Sequence, residues 1–171
     1  MEMSRLILDE GNLRSLPVRE RLNKCREIAQ KESDESLRWD AVWLAGEISE
    51  IVGPKDPMFG EVADLMAWVL KNDTNGVVKH EACYQIAARN MREKIPDLVQ
   101  TALTDTSSIA KHEAIESLGL MRAFETIQIL FKATEDPIPD VKETAVFVLK
   151  RLQRLEKLDE ARKAYKPSEI L

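Results

Sequence analysis

Four stretches of the chain repeat one order of apolar and polar positions: LRWDAVWLAG from Leu37, VKHEACYQIA from Val78, AKHEAIESLG from Ala110 and VKETAVFVLK from Val141. Position one is apolar, position two basic (Arg38, Lys79, Lys111, Lys142) and position five alanine (Ala41, Ala82, Ala114, Ala145). Positions six, nine and ten are mostly apolar, so with one and five they recur at the spacing of one helical face, where a strand would alternate instead. Each stretch is therefore an amphipathic helix. The steps between them are 41, 32 and 31 residues.

Between these stretches lie further helical patterns, EVADLMAWVLK, IPDLVQTALT and AFETIQILFKA, set off by the turn signals GPKDP, DTNG and DPIPD. The unit is thus two helices and a turn. Asp73, Asp105 and Asp136 each stand six positions before the basic residue of a repeat, where an aspartate in the turn and a cation in the next helix's first turn can cross-link neighbouring repeats. This arrangement resembles HEAT repeats, and its short period is similar to the HEAT-like repeats named after phycobilisome lyases. The resemblance implies an all-α fold, a HEAT-like helical-pair solenoid (α-α superhelix) with N-terminal and C-terminal capping helices. One domain over 1–171 is expected, with a cap helix at 16–31 carrying Val18, Leu22, Cys25 and Ala29 on one stripe, repeats over 33–152, and a C-terminal helix over 150–165.

Bulk composition narrows the partners. A chain of 171 residues that is 44% hydrophobic can bury one sizeable core. Thirty acidic and 25 basic residues are mixed along it, giving a formal charge of −5, which argues against nucleic-acid and anionic-membrane surfaces. The start MEMSRLILDE lacks a basic region before an apolar core, and no apolar run approaches the roughly 20 residues of a membrane span. A cytoplasmic location is expected. Two cysteines, Cys25 and Cys83, make no disulfide framework. GxGxxG, GxxxxGK and GxSxG are missing, so nucleotide loops and the nucleophile elbow are excluded.

The remaining candidate chemistry gathers at the two histidines. His80 and His112 stand in identical KHEA settings, 112 − 80 = 32 positions apart. At ~100° per residue, positions three, four and seven fall away from the apolar stripe. Equivalent helices of a solenoid stack at about 8–10 Å, so these positions join into rows: Trp39, His80, His112, Glu143; then Asp40, Glu81, Glu113, Thr144; then Trp43, Tyr84, Glu116, Phe147. Imidazoles and carboxylates hold the middle and aromatics flank them. Two imidazoles with one or two carboxylates suit borderline divalent ions, and two histidines plus a carboxylate is the set of oxygen-activating non-haem iron, although zinc or manganese is also admitted. Glu116, one turn beyond His112, is a further candidate ligand or a surface charge. Cys83 is either a soft ligand or, at the apolar sixth position, a small core residue.

The paired His-Glu motifs resemble one half of the deoxyhypusine hydroxylases, HEAT-repeat di-iron monooxygenases whose two halves each carry two such motifs. The resemblance implies His80, His112 and Glu113 as metal ligands and Glu81 as a group that either supports those ligands or serves a substrate amine; Glu116 joins the candidate ligands by its helical spacing from His112. The resemblance also implies iron, two ions per homodimer, because one chain holds two motifs where that family has four and a symmetric pair of copies restores them. Trp39, Trp43, Tyr84 and Phe147 then serve as walls of a substrate or interface groove. The other reading is a metal-free HEAT-like adaptor that binds a protein partner in that groove.

Overall fold

The chain divides into two compact units, Met1–Lys94 and Ile95–Leu171, of which a computed structural model describes residues 9–164. Among the described residues there are nine α-helices, joined by turns and short 3-10 segments, and no strand.

Unit one holds α1 (Glu10–Ser15), α2 (Val18–Lys31), α3 (Glu35–Val52), α4 (Pro57–Asn72) and α5 (Gly76–Ala88). Side chains with oxygen acceptors start the long helices: Asp34 accepts from the Ser36 N–H, Asp56 from Met58 with Pro57 in the first turn, and Asn75 from Val77 and Val78. α2 falls on the stretch expected as a cap helix and buries Leu22, Cys25, Ile28 and Ala29. Burial pushes the Cys25 thiol up to about 11, against the pull of Arg21, so it is a core group and not a nucleophile. α3 and α5 carry the first two repeat stretches, with Ala41, Val42 and Ala45, then Val78, Ala82, Cys83 and Ile86, in the core. Cys83 is fully buried, which is the core alternative for that residue.

Unit two holds α6 (Ile95–Thr104), α7 (Ser108–Leu120), α8 (Ile127–Leu130) and α9 (Pro139–Ala164). Ser107 caps α7 through the Ala110 N–H. The stretch AFETIQILFKA does not form one helix. It breaks into a 3-10 turn at Phe124–Thr126, the single-turn α8 and a second 3-10 segment at Phe131–Glu135. The threonine hydroxyls there donate to nearby carbonyls, Thr126 to Ala123 and Thr134 to Phe131, which offers the backbone an alternative to the α-helical ladder. The stretch from 150 continues the fourth repeat stretch in one helix, α9, with Leu152 and Leu155 buried, and Tyr165 lies outside the described residues.

The repeat is visible in backbone detail. Asn90 and Arg122 both take φ of 52° just after the motif helices, and each is followed by a backbone bond back over the helix end, Met91 N–H to the Ile86 carbonyl and Ala123 N–H to Leu118. Two of the aspartates pair with a cation, though with a different one from that of the next helix. Arg38 holds Asp73 through two bonds of 2.8 and 3.1 Å, and Lys111 holds Asp136 at 2.6 Å. In both pairs the cation comes from the repeat before the aspartate. Each aspartate also accepts a backbone N–H two residues on, from Asn75 and Ile138, so it stitches a turn and a helix together.

Candidate functional site

Unit one presents an open groove of about 520 Å³ between α3 and α5, lined by Trp39 and Trp43 on one side and by Glu81, Tyr84, Gln85 and Arg89 on the other. The two indole rings lie 6.3 Å apart at 52°, and the Arg14 guanidinium sits over the Trp43 ring at 4.8 Å. Arg14 and the buried Arg21 share Glu47 at 2.6 and 2.5 Å. The Arg14 hydrogen bond, helped by Arg21 and opposed by burial, holds the Glu47 carboxyl below its usual range. Glu50 is paired with Arg89. These contacts fix the groove walls.

Glu81 differs from its neighbours. It is 8% exposed yet lines the groove, its Oε1 accepts from Gln85 Nε2 at 2.8 Å, and among the described residues no cation pairs with it. A buried carboxylate compensated by one neutral amide leaves charge uncompensated, which a cationic ligand in the groove would neutralise. Aromatic walls beside it suit the same kind of ligand.

Unit two builds a second cluster. His112 Nδ1 lies 2.8 Å from Thr144 Oγ1, and the Thr144 hydroxyl donates to the Asp140 carbonyl at 2.7 Å. With its proton used there, Thr144 accepts, so Nδ1 carries the hydrogen and Nε2 is left for another partner. Nε2 lies 3.4 Å from Glu116 Oε1. An imidazole held by its other nitrogen beside a carboxylate is the usual preparation of a metal-binding histidine.

The sequence reading is corrected at position four. Glu81 and Glu113 are 8% and 6% exposed, not on a wet face, because α5 packs against both α3 and α4 in unit one and α7 against both α6 and α9 in unit two. The buried arc is therefore wider than the apolar stripe. His80 and His112 are half-buried, Glu116 is exposed, and Trp39 and Trp43 are half-buried. Trp39, Trp43, Tyr84 and Glu81 come together in the groove; Phe147 lies on α9 of unit two and is 67% exposed. Asp40 accepts from Trp43 Nε1 at 3.4 Å, and Glu143 is exposed. Sequence reading did not single out Gln85, Gly46 or Arg89, and Thr144 stood in the second row without a role.

Among the described residues no group of three or more His, Cys, Asp or Glu side chains is placed to hold a metal ion. The donors in unit two have the right chemistry for a borderline divalent ion. Their number in that cluster, one imidazole and one carboxylate, falls short of a site.

The HEAT repeats family model matches residues 62–150. Deoxyhypusine hydroxylase of Homo sapiens is 30% identical over 121 residues, 62% of this chain and 40% of that protein, and that of Danio rerio is 32% identical over 97 residues, 54% and 32%. The Arabidopsis thaliana deoxyhypusine hydroxylase is 33% identical over 90 residues, 51% of this chain and 28% of that protein. These matches span less than half the length of the relatives. The structure of human deoxyhypusine hydroxylase in complex with glycerol superposes with a TM-score of 0.68 at 22% identity, over 87% of this chain and 49% of that one, which shows a shared fold. Among the described residues no helix is long and apolar enough to cross a membrane. With its cross-repeat aspartate pairs and repeated helix ends, the chain belongs to the HEAT-repeat family and is a distant relative of deoxyhypusine hydroxylase, similar to about half of it.

Proposed function

We propose that the chain is a non-haem di-metal HEAT-repeat protein, a di-iron hydroxylase or oxidase whose metal centre is completed by a second copy. Support comes from the distant relationship to deoxyhypusine hydroxylase, from the two KHEA motifs, and above all from His112, whose Nδ1 bond to Thr144 turns Nε2 toward Glu116. The fit is one of donor type, imidazole and carboxylate. One chain carries two His-Glu motifs where the deoxyhypusine hydroxylases carry four, and a homodimer, the commonest closed assembly, restores the number.

His80, His112, Glu113 and Glu116 would hold the metal. Iron, when bound, supplies the activation of dioxygen. The rest falls to the chain's own side chains. Glu81 anchors the ammonium group of an amine substrate through the oxygen that Gln85 does not hold. Trp39, Trp43 and Tyr84 flank the alkyl part and exclude water from it, which strengthens the ion pair.

Elemental analysis of protein purified under native iron supply tests it. Near-stoichiometric iron in the wild type that is lost in His80→Ala/His112→Ala, with helical content kept, is the expected result. Folded wild type without metal overturns it. That outcome favours the second reading, an adaptor that takes a protein segment in its groove, for which the aromatic lining of the unit-one groove and the exposed Phe147 are the specific observations.

A further inference from the structure

Gln85 has two contacts that fix which end of its amide is which. Its Nε2 donates to Glu81 at 2.8 Å, and its Oε1 accepts from Arg89 Nε at 3.3 Å. Reversing the amide would set a carbonyl against the Glu81 carboxylate and an NH₂ group against a guanidinium, so the network admits one orientation. Arg89 is in turn anchored by its pair with Glu50. The chain of contacts runs from the groove wall to the buried carboxylate through one amide.

The amide needs room, and Gly46 of α3 supplies it. A Cβ at position 46 would lie 2.0 Å from Gln85 Oε1 and 2.4 Å from its Cδ. Gly46 sits inside α3, where glycine costs about 0.5–1 kcal/mol relative to alanine. Its presence there is accounted for by the side chain lying over it.

We propose that Gln85 is the positioning residue of Glu81, and that Gly46 is the space-making residue that lets it act. Gln85 holds Oε1 and leaves the second carboxylate oxygen open to the groove, so that Glu81 meets a ligand cation in one direction. The inference rests on the reading of Glu81 as the amine-binding group. It adds two residues that neither the repeat pattern nor the motif marks.

The test is a titration of full-length protein with n-butylammonium followed by tryptophan fluorescence, since Trp39 and Trp43 line the groove. Wild type binds, Glu81→Gln does not, and Gln85→Leu and Gly46→Ala each weaken binding about tenfold, the scale of one charge-assisted hydrogen bond. The double variant is no weaker than either single one, because both changes act through the same amide. Gly46→Ala stays folded, as the obstructing atoms are the end of a flexible side chain, and circular dichroism checks this. If wild type binds and Gln85→Leu binds equally well, the positioning role is overturned while Glu81 keeps its own. If Glu81→Gln binds as wild type does, or wild type shows no binding, the amine reading fails and takes this inference with it.

Discussion

Thr144 decides what His112 can do. Its hydroxyl proton goes to the Asp140 carbonyl and its oxygen receives Nδ1–H, so the ring presents Nε2 to Glu116. Either a proton or a metal ion between Nε2 and Glu116 satisfies both groups. Replacing Thr144 by valine removes the acceptor at similar volume. In Thr144→Val the neutral ring is expected to shift from the Nδ1–H to the Nε2–H tautomer, which donates to Glu116 directly. Long-range ¹H–¹⁵N spectra of the imidazole read this, and an unchanged tautomer contradicts the assignment. The same variant is expected to bind divalent metal about 10- to 100-fold more weakly, the scale on which supporting hydrogen bonds act.

Asp136 makes a second residue-scale case. Lys111 and the Ile138 N–H hold its carboxyl below the usual range although burial opposes them, and Glu47 is held low in unit one by Arg14 and Arg21. A carboxylate with a depressed folded value contributes stability that is fully present above its unfolded value, near pH 4, and is lost as pH falls through the folded one. Resistance to denaturant is therefore expected to fall below about pH 4. Asp136→Asn is expected to flatten part of that dependence and to cost about 1–3 kcal/mol at neutral pH, because Lys111 is left without its partner. Equal pH dependence in the variant would show that the pair carries none of it.

At the scale of elements, the repeats meet through a recurring close approach. Gly46 on α3 faces Gln85 on α5, and Gly119 on α7 faces Val148 on α9; both glycines are at position ten and both neighbours at position eight of the next repeat stretch. A Cβ on Gly119 would lie 3.0 Å from Val148 Cγ1, so here packed hydrocarbon must yield where at Gly46 a mobile amide can. Gly119→Ala is expected to lose about 1 kcal/mol, overpacking outweighing the gain in helix propensity, measured by the shift in denaturation midpoint. A stabilised variant would mean that α9 moves aside freely. Tertiary packing of this kind explains what the sequence could and could not reveal. The period-3.6 stripe located α3, α4, α5, α6 and α7, because burial of one helical face leaves that mark. It did not reveal the burial of Glu81 and Glu113, since a helix flanked on two sides hides polar positions that the stripe treats as wet. Nor did it show the break at α8, where threonine hydroxyls compete locally for carbonyls, or the short α1 capped by Asp9. Register alone marked Trp39, Trp43 and Tyr84, which line the unit-one groove, together with Phe147, which does not, whereas Gly46 and Gln85 needed the distance between two helices.

At the scale of the whole molecule, each unit carries one KHEA motif, and the described residues of one chain gather no three-ligand group. The chain matches 49% of the length of the solved human deoxyhypusine hydroxylase. If the proposed centre is completed by a second copy, association is expected to be linked to metal, since an ion that binds only the assembled state stabilises it by mass action. The direct measurement is iron(II) binding at several protein concentrations with the oligomeric state followed by sedimentation in parallel. A shared site predicts dimers in iron, dissociation on chelation, and an apparent affinity that rises with protein concentration. Tight binding to a monomer, at an affinity indifferent to protein concentration, would contradict it.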